Sequence, residues 1–325
     1  MKQAGKAVLN VILGVREMGV LIPLVIAVAI FSSNQIFLSQ DNLINILRNT
    51  SFVFITAIGM TYLIVSGAFD LSVGAVYAFA GVLCGKLMME AGFPVPLAIL
   101  SATLLTGVAF GTVNGFFVHK VGLPPMLATL ASMNIARGLV TGVQQGMPVY
   151  PLPAGFAAIG QGSLFKGSAF ELPYVVIIAG VLGILSAWVL KKTVYGRSVC
   201  AIGGNIETAR LAGIPTKSIS ISVFVIVSSL AAFSGILISS RLGSAQPNVG
   251  VGYEMQTIAA VVIGGTSLMG GRGTIVGTAL GALFMTTVAN GMTLIRISPF
   301  WQQLVLGIVL LVACSMDYLR NQFKK

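Results

Sequence analysis

The fold of this chain is decided by uninterrupted apolar stretches such as LPYVVIIAGVLGILSAWVL, residues 172–190, which contains no charged side chain. A helix of roughly 20 apolar residues crosses the hydrocarbon core of a bilayer, which is about 30 Å thick. The apolar stretches are continuous and lack the polar alternation of strands that face the lumen of a barrel. They therefore predict membrane-spanning helices.

Ten such stretches predict an all-α, polytopic membrane protein with about ten transmembrane helices in one domain, residues 1–325. The stretch 255–268 is the weakest, because it is short and ends in glycines. No A-x-A cleavage site follows the first stretch, so we expect a retained span there and not a signal peptide. The predicted spans are 18–38, 50–67, 71–89, 94–118, 125–143, 172–190, 218–240, 255–268, 274–293 and 299–316.

Composition excludes several classes of protein. Of the 325 residues, 56% are hydrophobic and only 27 are charged, and the mean hydropathy is +0.96, whereas about a quarter of a soluble domain is charged. One histidine, eight carboxylates and three separated cysteines offer little material for a metal cluster, a disulfide framework or a catalytic constellation. The net charge of +11 comes without a basic block interleaved with aromatic residues, which argues against nucleic-acid binding.

The positions of Lys and Arg predict the orientation. Ten spans with a cytoplasmic N-terminus place thirteen basic residues on the cytoplasmic side and five on the other, with Arg137 inside a span. Since cytoplasmic loops carry the excess of Lys and Arg, both termini are predicted to be cytoplasmic. The basic loop 191–217 is then inside, and the Gly-, Pro- and Ser-rich loop 144–171 is an exposed outer loop. A short amphipathic helix capped by Asp41 is predicted on the outer interface.

A second short helix is predicted within the loop 191–217. Asn205 is a favourable N-cap, Gly213 a favourable stop, and Pro215 prevents continuation. The segment AIGGNIETARLAG, residues 201–213, contains E-T-A-x-x-x-G, which resembles the E-A-A-x-x-x-G loop of ATP-binding cassette (ABC) transporter permeases. A face of small residues fits closely into a partner's groove, with Glu207 and Arg210 at its rim. The alternative is an ordinary capped loop helix.

Three further stretches extend this resemblance over nearly the whole chain. They are GMTYLIVSGAFDLSVG at 59–74, RLGSAQP at 241–247 and GYEMQTIAAVVIGGTSLMGGRG at 252–273. In this order they look like the ribose-type sugar permeases, the membrane subunits of importers that are fed by a periplasmic binding protein. The resemblance implies a multi-pass protein of the bacterial inner membrane, surrounded by membrane lipid, that translocates a monosaccharide or a similar polar solute.

The resemblance also implies three protein partners: a cytoplasmic ABC ATPase, a periplasmic solute-binding protein, and a second permease copy or a related permease. The sequence has no G-x-x-x-x-G-K-[ST] motif, so we expect ATP and Mg²⁺ on the ATPase, no cofactor on this chain and no enzyme activity of its own. The residues expected to dock the ATPase are Gly203, Gly204, Asn205, Glu207, Ala209, Arg210 and Gly213. Arg241 and Gln246 are candidate contacts for the binding protein, with a solvated loop charge as the alternative for Arg241.

Two glycine-rich interruptions are candidates for the translocation pathway or for helix junctions. Short, Gly-broken segments in the two halves of a transporter point to its pathway. The residues concerned are Asp70, Ser72, Gly264, Gly265, Gly270 and Gly271. The alternative for Asp70, which we favour, is a helix cap whose charge stays near water, and the alternative for the glycines is a tight turn. Gly273, Gly277 and Gly281, four residues apart, favour close helix packing.

Arg137 lies in the middle of the fifth predicted span, where an unpaired Arg costs at least about 2.5 kcal/mol. We expect it to pair with a carboxylate or with backbone carbonyls, unless the helix ends elsewhere than predicted; a substrate-binding role is the less favoured alternative. The rival function is an ion- or proton-coupled secondary transporter of a small polar solute. Such proteins usually place several carboxylates within their spans, whereas most of the eight here lie in loops or at span ends. The sequence leaves open which solute is carried and whether the permease pair is homo- or heterodimeric.

Overall fold

The computed structural model describes residues 18–168 and 170–322, and it is almost entirely helical. One ribbon of two antiparallel strands, β1 (Ser163–Leu164) and β2 (Leu172–Pro173), interrupts the helices. The predicted all-α, polytopic class is confirmed. The helices are α1 Met18–Phe31, α2 Gln40–Val65, α3 Val73–Met89, α4 Val95–Phe116 with a π-helical extension Phe117–Val121, α5 Pro125–Gln144, α6 Ala154–Gln161, α7 Tyr174–Lys192, α8 Val194–Gly204, α9 Ile206–Leu211, α10 Thr216–Leu242, α11 Tyr253–Ile263, α12 Ile275–Leu294 and α13 Pro299–Gln322.

Six of these helices are long and apolar enough to cross a membrane: α2, α4 with its extension, α5, α7, α10 and α12. Shorter apolar stretches form α1, α3, α11 and residues 300–312 of α13. A helix therefore lies at each of the ten predicted stretches, and six of these helices meet both the length and the apolar character of a membrane span. Lys2, Lys6, Arg16, Lys324 and Lys325, which enter the predicted orientation, lie outside the described residues.

The centre of the bundle is α10, which packs against α4 through closely spaced backbones. A Cβ atom built on Gly111 would lie 2.7 Å from the carbonyl oxygen of Phe224, and one on Gly115 would lie 2.9 Å from the Cα of Ile221. Real Cβ atoms essentially never come within 3.0 Å of a heavy atom. Only glycine fits at these positions, as is usual where membrane helices approach closely.

The predicted separate helix capped by Asp41 is wrong. Residues from Gln40 onward form the first turns of α2, which continues to Val65 without a break, and the N-cap is Ser39, whose hydroxyl accepts a hydrogen bond from the amide of Asn42. The first turn is also packed on protein: the Asn42 side-chain amide donates to the Phe37 carbonyl and exchanges hydrogen bonds with Asn290 of α12. The first span is likewise shorter than predicted, because α1 ends at Phe31.

The segment 144–171 is more ordered than an exposed loop. Phe156 of α6 is fully buried, and the amide of Gly160 donates to the Ser240 hydroxyl of α10 over 2.8 Å. Near its end, the Glu171 carboxylate accepts hydrogen bonds from the Ser163 hydroxyl and the Gly167 amide. These two bonds hold the pKa of Glu171 below its usual range.

Candidate functional site

Two helices form the segment 191–217. The predicted short helix is confirmed as α9: the Asn205 side chain accepts a hydrogen bond from the Thr208 amide over 2.9 Å, and Gly213 follows the helix with a left-handed φ of 80°. The preceding helix α8, capped by Thr193, was not predicted. Its only local sign is the N-cap threonine, because its Gly-rich end reads as loop.

One face of α9 is exposed. Leu211 is 84% exposed, and the side chains of Glu207 and Arg210, joined by an ion pair of 2.8 Å, are 67% and 68% exposed. Ala209, in contrast, is buried against the bundle. An exposed ion pair of this kind contributes little to stability, so the polar rim and the exposed leucine are available to a partner.

The end of α8 approaches the transmembrane bundle closely enough for direct backbone contacts. The Gly271 amide donates a 2.8 Å hydrogen bond to the carbonyl of Val65, the last residue of α2. A Cβ atom on Gly203 would collide with that same carbonyl and would lie 2.7 Å from the Gly271 nitrogen. We call these three residues the glycine junction. Residues predicted for docking and for the pathway, Gly203 and Gly271, therefore belong to one contact.

The glycine-rich segment between α11 and α12 is a turn held by close packing. Gly265, Gly270 and Gly271 have φ values of 89°, 80° and 74°, which other residues rarely adopt. A Cβ on Gly264 would lie 2.5 Å from the Gly277 carbonyl oxygen, so α12 rests directly on the end of α11. The packing role predicted for Gly277 is confirmed.

Two helices begin inside the bundle, where their first turns cross. Gly74, in the first turn of α3, meets Gly250, which precedes α11: a Cβ on Gly250 would lie 2.6 Å from the Gly74 carbonyl oxygen. Tyr77 lies one turn further along α3, and Tyr253 is the first residue of α11. Their rings lie with centroids 4.5 Å apart. We call this the half-helix crossing. Its sequence signal is the pattern V-G-x-x-Y, which occurs at 73–77 and again at 249–253.

Arg137 fastens the half-helix crossing. Its guanidinium donates to the carbonyls of Pro247 and Val249 over 2.9 and 2.8 Å, and to the carbonyl of Gly74 over 3.1 Å. The predicted pairing with backbone carbonyls is confirmed. One planar guanidinium with several fixed donors can satisfy carbonyls from both segments at once, so Arg137 of α5 holds the starts of α3 and α11 together.

Asp70 is completely buried, so the prediction that its charge lies near water is wrong. One carboxylate oxygen accepts from the Ser72 amide and hydroxyl over 2.7 and 2.6 Å, and the other accepts from the Asn114 amide over 3.2 Å. Asn114 in turn accepts a hydrogen bond from the Ser132 hydroxyl. Ser72 occupies the N-cap position of α3. Asp70, two residues before it, connects the start of α3 to α4 directly and to α5 through Asn114.

Arg241 and Gln246 lie at the end of the bundle opposite the segment 191–217. The Arg241 guanidinium points inward and donates to the side-chain oxygens of Asn49 and Asn45, both over 2.6 Å. It is therefore not a solvated loop charge. Gln246 lies exposed between α10 and α11, where its amide approaches the Ser244 hydroxyl at 3.4 Å.

Comparison with known proteins identifies the family of this chain. Residues 42–314 match the family described as branched-chain amino acid transport system / permease component. The ribose import permease protein RbsC of Haemophilus influenzae is 38% identical over 91% of this chain and 91% of its own length. RbsC of Bacillus subtilis is 40% identical over 90% and 89%, and the xylose transport system permease protein XylH of Escherichia coli is 33% identical over 92% and 91%. No solved structure matches significantly.

Proposed function

The chain belongs to the branched-chain amino acid transport system / permease component family, and we propose that it is the membrane-spanning permease subunit of an ABC importer for a monosaccharide. The names of its relatives support this choice of solute, since they include ribose and xylose permeases that match over about nine tenths of both chains. The bundle supports a neutral solute as well, because the fully buried carboxylate of Asp70 is occupied by hydrogen bonds to its neighbours.

In this proposal the chain crosses the bacterial inner membrane about ten times, with both termini in the cytoplasm. Helix α3 and helix α11 are too short to cross alone, but each starts at the half-helix crossing in the interior and runs towards an opposite end of the bundle. Discontinuous helices of this kind are a common feature of transporters. The excess of Lys and Arg on one side supports the orientation, which places the segment 191–217 in the cytoplasm.

The observation that carries the proposal is the construction of that segment. Helix α9 presents an exposed leucine and an exposed ion pair to the solvent, while the helix before it is locked to α2 and to the α11–α12 turn at the glycine junction. A partner ATPase that moves α9 would therefore displace the ends of two transmembrane elements directly. ATP and Mg²⁺ are bound by that partner, and this chain transmits the movement.

The remaining partners follow from the same orientation. A periplasmic binding protein delivers the solute at the end of the bundle that carries Gln246, and a second permease copy or a related permease completes the transport unit. At this end of the bundle, Arg241 holds the start of α2 through hydrogen bonds to Asn45 and Asn49, and Gln246 is exposed and available for direct contact with the binding protein.

Copurification with the ABC ATPase tests the docking assignment. Glu207→Arg should weaken ATPase association and ATP-driven uptake, because it reverses the charge at the exposed rim of α9. Glu90→Arg is the matched control, since Glu90 is also exposed and also forms an ion pair, with Lys86 at 2.7 Å, but at the opposite end. Equal association of the two variants with the ATPase would remove the assignment of α9 as the docking helix.

A further inference from the structure

A polar cavity of about 310 Å³ lies within the single subunit, beside the half-helix crossing. Its walls come mainly from α2, α11 and α12. It extends from Thr293 and Gln302, at the end of the bundle opposite the segment 191–217, to Tyr77 and Tyr253 in the interior. Its volume is at the lower end of the range for small-molecule sites, which is about 300–1,000 Å³.

Among the described residues, the walls carry many hydrogen-bonding groups but no Asp, Glu, Lys, Arg or His side chain. Five amide side chains line the cavity, together with the hydroxyls of two threonines and two tyrosines. Such groups can each donate or accept a hydrogen bond without carrying charge. A cavity of this composition suits a neutral ligand that is rich in hydroxyl groups, and it disfavours an ion.

The positive charge nearest the cavity is held behind its wall. Arg241 donates to the side-chain oxygens of Asn45 and Asn49, and the Asn49 side-chain nitrogen donates to the Asn45 oxygen over 3.4 Å. These bonds fix both amides and leave the Asn45 nitrogen as a donor. On the opposite wall, the side-chain amide of Gln256 has no hydrogen-bond partner among the described residues, although the residue is partly buried. One wall therefore presents an oriented donor, and the other presents a group free to donate and accept.

The inner end of the cavity is aromatic. Tyr77 and Tyr253 lie 4.5 Å apart and are 3% and 9% exposed. The Tyr253 hydroxyl is occupied, since it donates to the Phe52 carbonyl over 2.7 Å. The Tyr77 hydroxyl has no hydrogen-bond partner within the described part of the chain. Tyr77 lines the cavity, and its hydroxyl can both donate and accept, so a ligand hydroxyl at the inner end of the cavity would supply a bond.

We propose that this cavity is a solute-binding site within one permease subunit, and that it takes a neutral polyhydroxylated ring of pentose size. Amides along the walls would bind the hydroxyls, and the two tyrosine rings would face the C–H groups of the ring. The site lies directly on the half-helix crossing, so an occupied cavity contacts both α3 and α11. The inference rests on the proposed function, because it assigns the place where the transported solute binds.

Binding of D-ribose to the full-length permease in lipid nanodiscs tests the site, with saturation-transfer difference NMR as the readout and neither the ATPase nor the binding protein present. Ala289→Phe places a ring in the cavity and should abolish the ribose signal. Val276→Phe adds the same ring to the same helix at a position that is 60% exposed, and it should leave the signal unchanged. Gln256→Leu removes an unpaired amide at similar size and should weaken binding about tenfold, the factor for one ordinary hydrogen bond.

Uptake by the complete importer in proteoliposomes distinguishes a failure of the proposed cavity from a failure of the proposed function. Ribose uptake by the wild-type complex with an unchanged ribose signal in both Ala289→Phe and Gln256→Leu would overturn the cavity and leave the proposed function standing. Failure of the wild-type complex to take up any monosaccharide would overturn the proposed function and this inference with it. Loss of the signal in Ala289→Phe and weakened binding in Gln256→Leu, with an intact signal in Val276→Phe, is the result that we expect.

Discussion

The glycine junction allows a test with two neighbouring residues of the same type. In Gly203→Ala, the added methyl group would collide with the Val65 carbonyl and would lie 2.7 Å from the Gly271 nitrogen, both of them backbone atoms. The chains must separate, and the 2.8 Å hydrogen bond from Gly271 to Val65 must lengthen or break. In Gly204→Ala, the methyl group meets nothing within 4 Å.

The magnitudes differ accordingly. Overpacking costs about 1–3 kcal/mol, and a buried carbonyl without its partner costs about 1–3 kcal/mol, while replacing a helical glycine by alanine returns up to about 1 kcal/mol. Gly203→Ala should therefore lower the free energy of unfolding by about 1–5 kcal/mol, and Gly204→Ala should leave it unchanged or slightly higher.

Thermal unfolding in detergent and ATP-driven uptake, measured on both variants at equal expression, check this prediction. We expect Gly203→Ala to unfold at a lower temperature and to transport poorly for the amount of ATPase that it binds, because α8 no longer sits firmly on α2. Equal stability and equal uptake in Gly203→Ala and Gly204→Ala would refute the reasoning that the junction transmits movement.

Three further predictions concern the interior and the outer segment. Arg137→Met should destabilise the protein by several kcal/mol, since each carbonyl left without a donor costs about 1–3 kcal/mol; thermal unfolding beside Asn134→Leu, an exposed position on the same helix, checks it, and equal unfolding temperatures would contradict it. Asp70→Asn should keep most of the uptake, because an amide oxygen still accepts the bonds from Ser72, whereas Asp70→Ala loses every bond; the reasoning is wrong if the two variants transport alike. The depressed pKa of Glu171 means that its hydrogen bonds stabilise the segment 144–171 at every pH above the ordinary Glu pKa of about 4.3 and are lost as the pH falls through the lower, folded-state pKa. Resistance of that segment to pepsin should therefore hold constant down to this range and then fall, whereas Glu171→Gln should show no such step.

Structural features that depend on a few neighbouring residues are correctly predicted by the sequence. The cap Asn205, the stop Gly213 and Pro215 specify α9 locally, and the structure has that helix with those ends. The apolar stretches likewise located a helix at every predicted span. The error at Asp41 arose because tertiary contacts are not visible in the local pattern: the segment is the start of α2, and its Asn42 and Asn49 side chains bond to α12 and α10.

Features that depend on distant parts of the chain were not predictable in the same way. The half-helix crossing joins residues about 175 positions apart, and nothing near Gly74 alone specifies its contact with Gly250. Its trace in the sequence is the repeated V-G-x-x-Y pattern. The cavity left a weaker trace: Asn45, Asn49 and Phe52 on α2 recur at helical spacing, as do Thr286, Asn290 and Thr293 on α12.

The proposed function requires that this chain carries a monosaccharide only when a separate ATPase supplies the energy. The most direct measurement is uptake of labelled ribose into proteoliposomes that contain the permease, with and without the ATPase, with the binding protein and ATP supplied and a proton ionophore added. We expect uptake that requires both ATP and the ATPase and that is insensitive to the ionophore. Uptake that persists without the ATPase and is abolished by the ionophore would contradict it and would favour an ion-coupled transporter.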